Sequence, residues 1–342
     1  MSNLTPKQRL LNVLNRKPVD RPPVICPGGM MNAAIVEVMT ASGYTLPEGH
    51  SDPELMAKLA AAVQQQTGFE NLGVPFCMTV EAEVLGSPVD YGTLKCEPKV
   101  TQELFPNAAA VVPEDITALL TTGRINTVAA ATKILAETYP DLPVTGSLTG
   151  PISTAASLVD PVPFLKDLRR NPAAAHQTLS YVTDFLIAFA HRLIDNGAAV
   201  IALGDPTATG EILGPKAFGE YAVPYINRLI DAVHARQVPV ILHICGNMNT
   251  VKHLLPELKA DAISTDAVVS LRKLKEEYPN ILIMGNLSTF LLEFGPAEKV
   301  AVNARRLLAD GIDIIAPACG LSTSTSLFHI RAMTDTIRNK GV

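Results

Sequence analysis

Two short stretches of the chain carry apolar runs into groups that bind soft metals. One is VPVILHICGNM, residues 238 to 248, where His243 and Cys245 stand two apart and are followed by Gly246 and Asn247. The other is IDIIAPACG, residues 312 to 320, which reaches Cys319. On an extended strand, side chains i and i+2 leave the same face, so His243 and Cys245 are predicted to project together from a strand's end. One imidazole and two thiolates are donors that Zn²⁺ prefers. Three protein ligands leave a fourth position for water or substrate, which is the pattern of a catalytic zinc rather than a structural one. Taken singly, a Cys in an apolar run is more often a small buried hydrophobe, and a lone His a hydrogen-bonded structural residue. The two-residue spacing and the shared strand end lift the set above that reading. Cys26, Cys77 and Cys96 have no such partner and read as packing or surface thiols. The remaining histidines fall on expected helices or loops and read as solvated. His50, in PEGHSDPE, is the exception to watch, because it precedes a helix cap in a loop expected at the same end of the fold.

The elements that must position these residues follow from eight apolar, strand-like runs at 22–27, 70–76, 143–150, 198–206, 238–246, 262–267, 281–288 and 312–320, the last six the clearer. Between them lie helices with recognisable ends. Asp52 and Pro53 open one that Gly68 closes, Asn171 and Pro172 open another that stops near Gly197, and a third runs from Gly295–Pro296 to Gly311; the grammar is cap, Pro at the first turn, Gly just beyond the last. Residues 77–125 break the rhythm with scattered Pro and Gly and read as an insertion after the second strand. Alternating strands and helices without a glycine-rich phosphate fingerprint favour a closed parallel barrel over an open doubly wound sheet. The expectation is α/β: a single (β/α)₈ TIM barrel over residues 1–342, with a helix before the first strand. Active sites of such barrels lie at the C-terminal ends of the strands. There the runs end in Asp205, His243, Cys245, Asp266, Asn286 and Cys319. Cys319 can therefore meet His243 and Cys245 across one mouth.

Composition bounds the function. A net charge of -5 and the lack of any basic run argue against a nucleic-acid partner, whose phosphates demand clustered Lys and Arg. No apolar run reaches the ~20 residues that span a bilayer. The amphipathic opening MSNLTPKQRLLNVLNRKP does not resemble a signal peptide, and five scattered cysteines, an odd number, read as reduced thiols of a cytoplasmic protein.

HICGN with the late APACG, the opening TPKQRLLNVLNRKPVDRPPV, and EGHSDPELMAKLA with GVPFCMTVEAEVLG together resemble the methylcobamide:coenzyme M methyltransferases of the uroporphyrinogen decarboxylase superfamily. The resemblance covers essentially the whole chain. It implies a TIM barrel whose zinc ligands are His243, Cys245 and Cys319, and an acidic residue near the zinc when no thiol is bound, for which Glu83 and Asp205 are the candidates. It also implies methyl transfer from a methylcobamide, carried on a partner corrinoid protein, to a thiol such as coenzyme M. No D-x-H-x-x-G corrinoid-binding segment occurs in the chain, which fits a cofactor that arrives on another protein. Three alternatives stay open: tetrahydrofolate as the acceptor, a uroporphyrinogen decarboxylase-like reaction, and a non-catalytic zinc module that binds a corrinoid protein. Against a porphyrin substrate, the stretch CPGGMMNAAI after the first strand lacks any Arg or Lys where decarboxylases carry basic residues for propionates. Gly246 and Asn247 suit a crowded mouth. Ser322 and Thr323 open a hydroxyl-rich run to Ser326 at a helix start, which would either hold an anion such as a sulfonate or serve as ordinary N-caps.

Overall fold

The computed structural model describes residues 4–339. Its strands, in chain order, are β1 (Leu72–Val74), β2 (Val89–Asp90), β3 (Lys99–Val100), β4 (Val144–Thr149), β5 (Val200–Gly204), β6 (Val240–Ile244), β7 (Ala262–Thr265) and β8 (Leu282–Met284). β2 and β3 form a small antiparallel pair, whereas the other six make a parallel sheet in the order β1-β4-β5-β6-β7-β8. Chain order equals strand order, as expected when each crossover is a helix packed on the outside.

The six-stranded sheet closes through two segments that make bridges rather than regular ladders. Val24 bridges Ile315, and Ile314 bridges Met284, all in parallel. On its other side the first segment reaches β1 through the Asn71 side chain, which accepts from the Cys26 amide and donates to the Cys26 carbonyl, both at 2.9 Å. Eight staves therefore surround the axis, as the eight apolar runs predict. The first and last are irregular because Pro22, Pro23 and Pro317 lack the amide donor a ladder needs.

Inward-facing side chains fill the barrel: Ile25, Val200, Ile241, Ala262, Met284, Ile314 and Ala316 form one cluster. Leu10, Val13 and Leu14 of the first helix, Pro6–Leu14, join it and plug the N-terminal end. Thr5 and Gln8 cap that helix reciprocally. Its Arg9 is buried in a cluster with Asp20 and Glu70, each at 2.7 Å, and Arg21 joins Glu70 at 2.7 Å. Glu70 also accepts from the Val24 amide, which pins the first stave to β1. One end of the barrel is sealed, so chemistry is left to the other. Among the described residues, no helix is long and apolar enough to cross a membrane.

The insertion is built rather than loose. Between β1 and the helix Arg124–Thr138 lie the helix Val80–Val84, the β2–β3 pair and the short helix Ile116–Leu119. This segment brings Glu81, Glu83, Tyr91 and Glu97 to the mouth side.

Candidate metal centre

His243 lies near the end of β6 and points into the barrel, two residues after the inward-facing Ile241. Its register neighbours are Gly204 on β5 and Ser264 on β7. Ser264 orients the imidazole: its hydroxyl sits 2.9 Å from His243 Nδ1. With Nδ1 engaged, Nε2 is the atom turned to the mouth, 3.1 Å from Cys245 Sγ.

Cys245 and Cys319 meet at 3.3 Å between sulfurs. The ligand atoms of His243, Cys245 and Cys319 all lie within 4.8 Å of one another, and among the described residues no other group of three His, Cys, Asp or Glu converges this way. Two glycines make the approach feasible. Gly246 has φ of +72°, a left-handed turn that lets the chain leave β6 immediately after Cys245. At Gly320 any side chain would strike the Met30 carbonyl, so the Cys319 loop can close on the first stave only without one. Met30 in turn places its sulfur 3.9 Å from Cys245 Sγ and walls off one side.

The electrostatics favour a cation. Cys319 is held low by hydrogen bonds from the Cys245 thiol and from His243, while Cys245 is held high by the same pairing and by burial. The first proton leaves this pair readily, and the second is retained against a thiolate 3.3 Å away. The Asp266 charge, just beyond the end of β7, also raises Cys245, and the Glu97 carboxyl is raised first by desolvation and then by the Cys319 charge. Two thiols between two carboxylates ionise fully only with a divalent ion among them, and borderline-soft Zn²⁺ fits an S₂N donor set.

The other residues singled out in the sequence are placed as follows. Asp205 ends β5, but its carboxylate accepts from the Ile152 and Ser153 amides and the Ser153 hydroxyl, at 3.1, 2.8 and 2.7 Å, and so caps the helix Pro151–Leu158. Burial raises its carboxyl to about 6. Glu83 pairs with the buried Arg124 and accepts from Tyr91 at 2.7 Å. Neither stands in the metal group. Asn247 caps a short turn, its amide donating to Glu211. Thr323 donates to the Lys95 carbonyl and Ser324 to Glu293, while Glu37 accepts from Leu327 at the start of the last helix. Two carboxylates thus occupy the helix start where an anion was envisaged, and no side chain caps it from Ser326.

Several groups escaped the sequence reading. Ser264 and Met30 are anonymous in sequence, because only the barrel register sets them beside His243 and Cys245. Glu81, two residues before the nominated Glu83, is buried and accepts from the Thr149 amide at 2.8 Å and its hydroxyl at 3.2 Å; burial raises it to about 7. His50, the histidine to watch in the sequence, is 1% exposed with neither ring nitrogen partnered; burial first, then Arg124, lowers it to about 4. Cys77 is buried as expected, yet its sulfur accepts from Arg124 at 3.3 Å and Thr79 at 3.4 Å.

This chain matches the uroporphyrinogen decarboxylase (URO-D) family model over residues 5–340. It is 35% identical over 345 aligned positions, 99% of each sequence, to a methylcobamide:CoM methyltransferase, MtbA, of Methanosarcina acetivorans. The chain belongs to this family. It is a methyltransferase of that group. A second relative, the methylcobamide:CoM methyltransferase MtaA of Methanosarcina barkeri, is 34% identical over 97% of each sequence. A solved methyltransferase from Methanosarcina mazei superposes with a TM-score of 0.92, at 32% identity, covering 99% of this chain and all of that one. The family's TIM barrel is the fold built above.

Proposed function

We propose that the chain transfers a methyl group from a methylated corrinoid, carried on a partner protein, to the thiol of coenzyme M at a zinc ion held by His243, Cys245 and Cys319. The observation that carries the reading is the convergence of those three ligand atoms within 4.8 Å at the open end of a sealed barrel. The relatives' names supply the methyl donor and the acceptor.

The difficulty in such a reaction is the nucleophile, since a free thiol with a pKa near 8.5 is mostly protonated at neutral pH. When bound, Zn²⁺ supplies the charge that keeps the acceptor sulfur deprotonated at a fixed place. The protein's own groups set how reactive that sulfur is. Cys245 and Cys319 as thiolates, with neutral His243, contribute two negative charges that offset those of the ion, so the acceptor thiolate is not quenched by a strongly cationic centre. Ser264 holds the imidazole in the tautomer that leaves Nε2 as ligand. Glu83 and Asp205, the carboxylates considered for the site when no thiol is bound, have their oxygens engaged elsewhere, and Asp266, whose charge bears on Cys245, itself accepts from the Val268 amide. Met30 and the barrel wall exclude water on one side, leaving the mouth for in-line approach of the methyl group.

The test is anaerobic loss of methylcobalamin absorbance with coenzyme M or tetrahydrofolate, before and after zinc chelation. Zinc-dependent demethylation with coenzyme M is the expected result. Turnover with tetrahydrofolate alone would keep the zinc chemistry and change the acceptor, whereas inactivity with both would remove the methyl-transfer reading.

A further inference from the structure

The rim of the mouth carries a basic surface that the zinc chemistry does not use. The helix Pro161–Arg170 belongs to the crossover that begins directly after β4, and the helix Gly210–Ala217 starts six residues after β5, so both lie on the C-terminal side of the barrel. Between them is a groove of about 390 Å³ lined by Val162, Lys166, Arg169, Arg170, Ile212 and Leu213, among others. Lys166, Arg169 and Arg170 share one helix face by their three- and four-residue spacing. Lys216 is exposed on the facing helix. Among the described residues none of the four has an acidic partner within ion-pair distance. Nearby acids are turned elsewhere: Asp160 and Asp167 accept from the Val162 and Ala108 amides, Glu211 from Asn247, and Glu220 faces His176.

Cations in the last turn of a helix are favoured by its dipole, which accounts for Arg169 and Arg170 on local grounds. It also accounts for Lys216, in the last turn of the facing helix and outside the groove's lining, but not for Lys166 in the middle of its helix, nor for Val162 and Ile212, 58% and 48% exposed beside the cations. Exposed aliphatics ringed by unpaired like charges, on a chain of net charge -5, have the composition of an interface for a surface of opposite sign. The groove also adjoins the metal loop, because Glu211 at the start of the same helix accepts from the amide of Asn247, two residues beyond Cys245.

We propose that this rim groove docks an acidic face of the corrinoid-carrying partner protein, an inference that rests on the methyl-transfer reading. A partner that presents its corrinoid to the mouth must touch the rim, and this is a basic, partly apolar stretch of rim one helix from the metal loop.

The experiment compares two methyl donors, free methylcobalamin and a methylated corrinoid protein purified from the organism that supplies the chain. The variants are Lys166→Gln/Arg169→Gln/Arg170→Gln and the reversal Lys166→Glu/Arg170→Glu. For the carried donor, KM is expected to rise about tenfold at low ionic strength with kcat unchanged, and the wild-type dependence of KM on salt to flatten. With free methylcobalamin both variants should stay within about twofold of wild type, which also reports an intact fold. An unchanged KM for the carried donor overturns the docking site, as does an equal loss with both donors. Binding of the wild type, but not the neutral variant, to phosphatidylserine vesicles while the carried donor is unaffected would assign the groove to a membrane surface instead. If the wild type demethylates neither donor, the methyl-transfer reading falls and takes this partner with it.

Discussion

His243 is useful only because Ser264 stands beside it in register, so replacing either tests a different link. His243→Ala or Cys319→Ala removes a ligand and is expected to abolish stoichiometric zinc, read by elemental analysis of purified protein. Ser264→Ala leaves three ligands and releases only the orientation of the ring; zinc affinity should fall about 10–100-fold, measured by competition with a chromophoric chelator. Retention of full affinity would show that packing alone orients the imidazole. Glu81 gives a pH signature separate from the metal. Its carboxyl is raised from 4.5 to about 7, chiefly by burial, so the folded chain keeps a proton that the unfolded chain releases. That contribution to stability is fully present below about pH 4.5 and is lost as pH rises through 7, a change of roughly 3 kcal/mol. Glu81→Gln mimics the protonated form and should flatten the dependence of unfolding free energy on pH over that window. Asp205, raised to about 6, adds the same sign over a lower window and stays in the variant as a residual slope.

Packing of whole elements decides which staves hold the site, and the N-terminal plug is the clearest case. Glu70 stands between Arg9 and Arg21 and accepts from the Val24 amide, so Glu70→Ala leaves the Arg21 guanidinium and the Val24 amide without their carboxylate and Arg9 with Asp20 alone. A loss of about 3–5 kcal/mol is expected in chemical denaturation, against about 2–5 kcal/mol for Leu10→Ala, which opens a cavity under the barrel core. Helix grammar was readable in sequence because caps are local: Asp52 and Gly68 bound the helix Pro53–Thr67 as their types predict. The strand-end ligands were readable for the same reason, since i and i+2 share a face whatever the fold. Residues whose role depends on the neighbouring stave were not. Nothing local distinguishes Ser264 from other serines or ties Asn71 to Cys26, and Asp205 at its strand end looks like a ligand until the helix it caps is in place. Cys77 reads as bland for a related reason: its partner Arg124 lies at the far end of the insertion, whose Pro and Gly content resembles an open loop.

At the scale of the molecule, the question is whether the metal holds the fold or only the chemistry. Small zinc domains lose their structure without the ion because the ion replaces a core. Here the inner cluster from Leu10 to Ala316 and the Arg9–Glu70–Arg21 cluster lie at the sealed end, below His243, and none of their members is a ligand. Removing zinc should therefore leave the helices and strands in place, with the far-ultraviolet circular dichroism unchanged. It should still lower stability, because an ion bound only by the folded chain contributes RT ln(1 + [L]/Kd), about 4 kcal/mol at a thousandfold excess over Kd. The apo chain keeps on the Cys245–Cys319 pair one proton that the ion must displace, so zinc binding tightens, and its contribution to stability grows, as pH rises. Chelation is thus expected to shift the thermal midpoint by several degrees, more at pH 9 than at pH 7, with re-added Zn²⁺ restoring it. Loss of the helical signal on chelation would instead make the ion a structural element. That result would remove the argument for a position open to the acceptor thiol, since a zinc that builds the fold is closed by its own protein ligands.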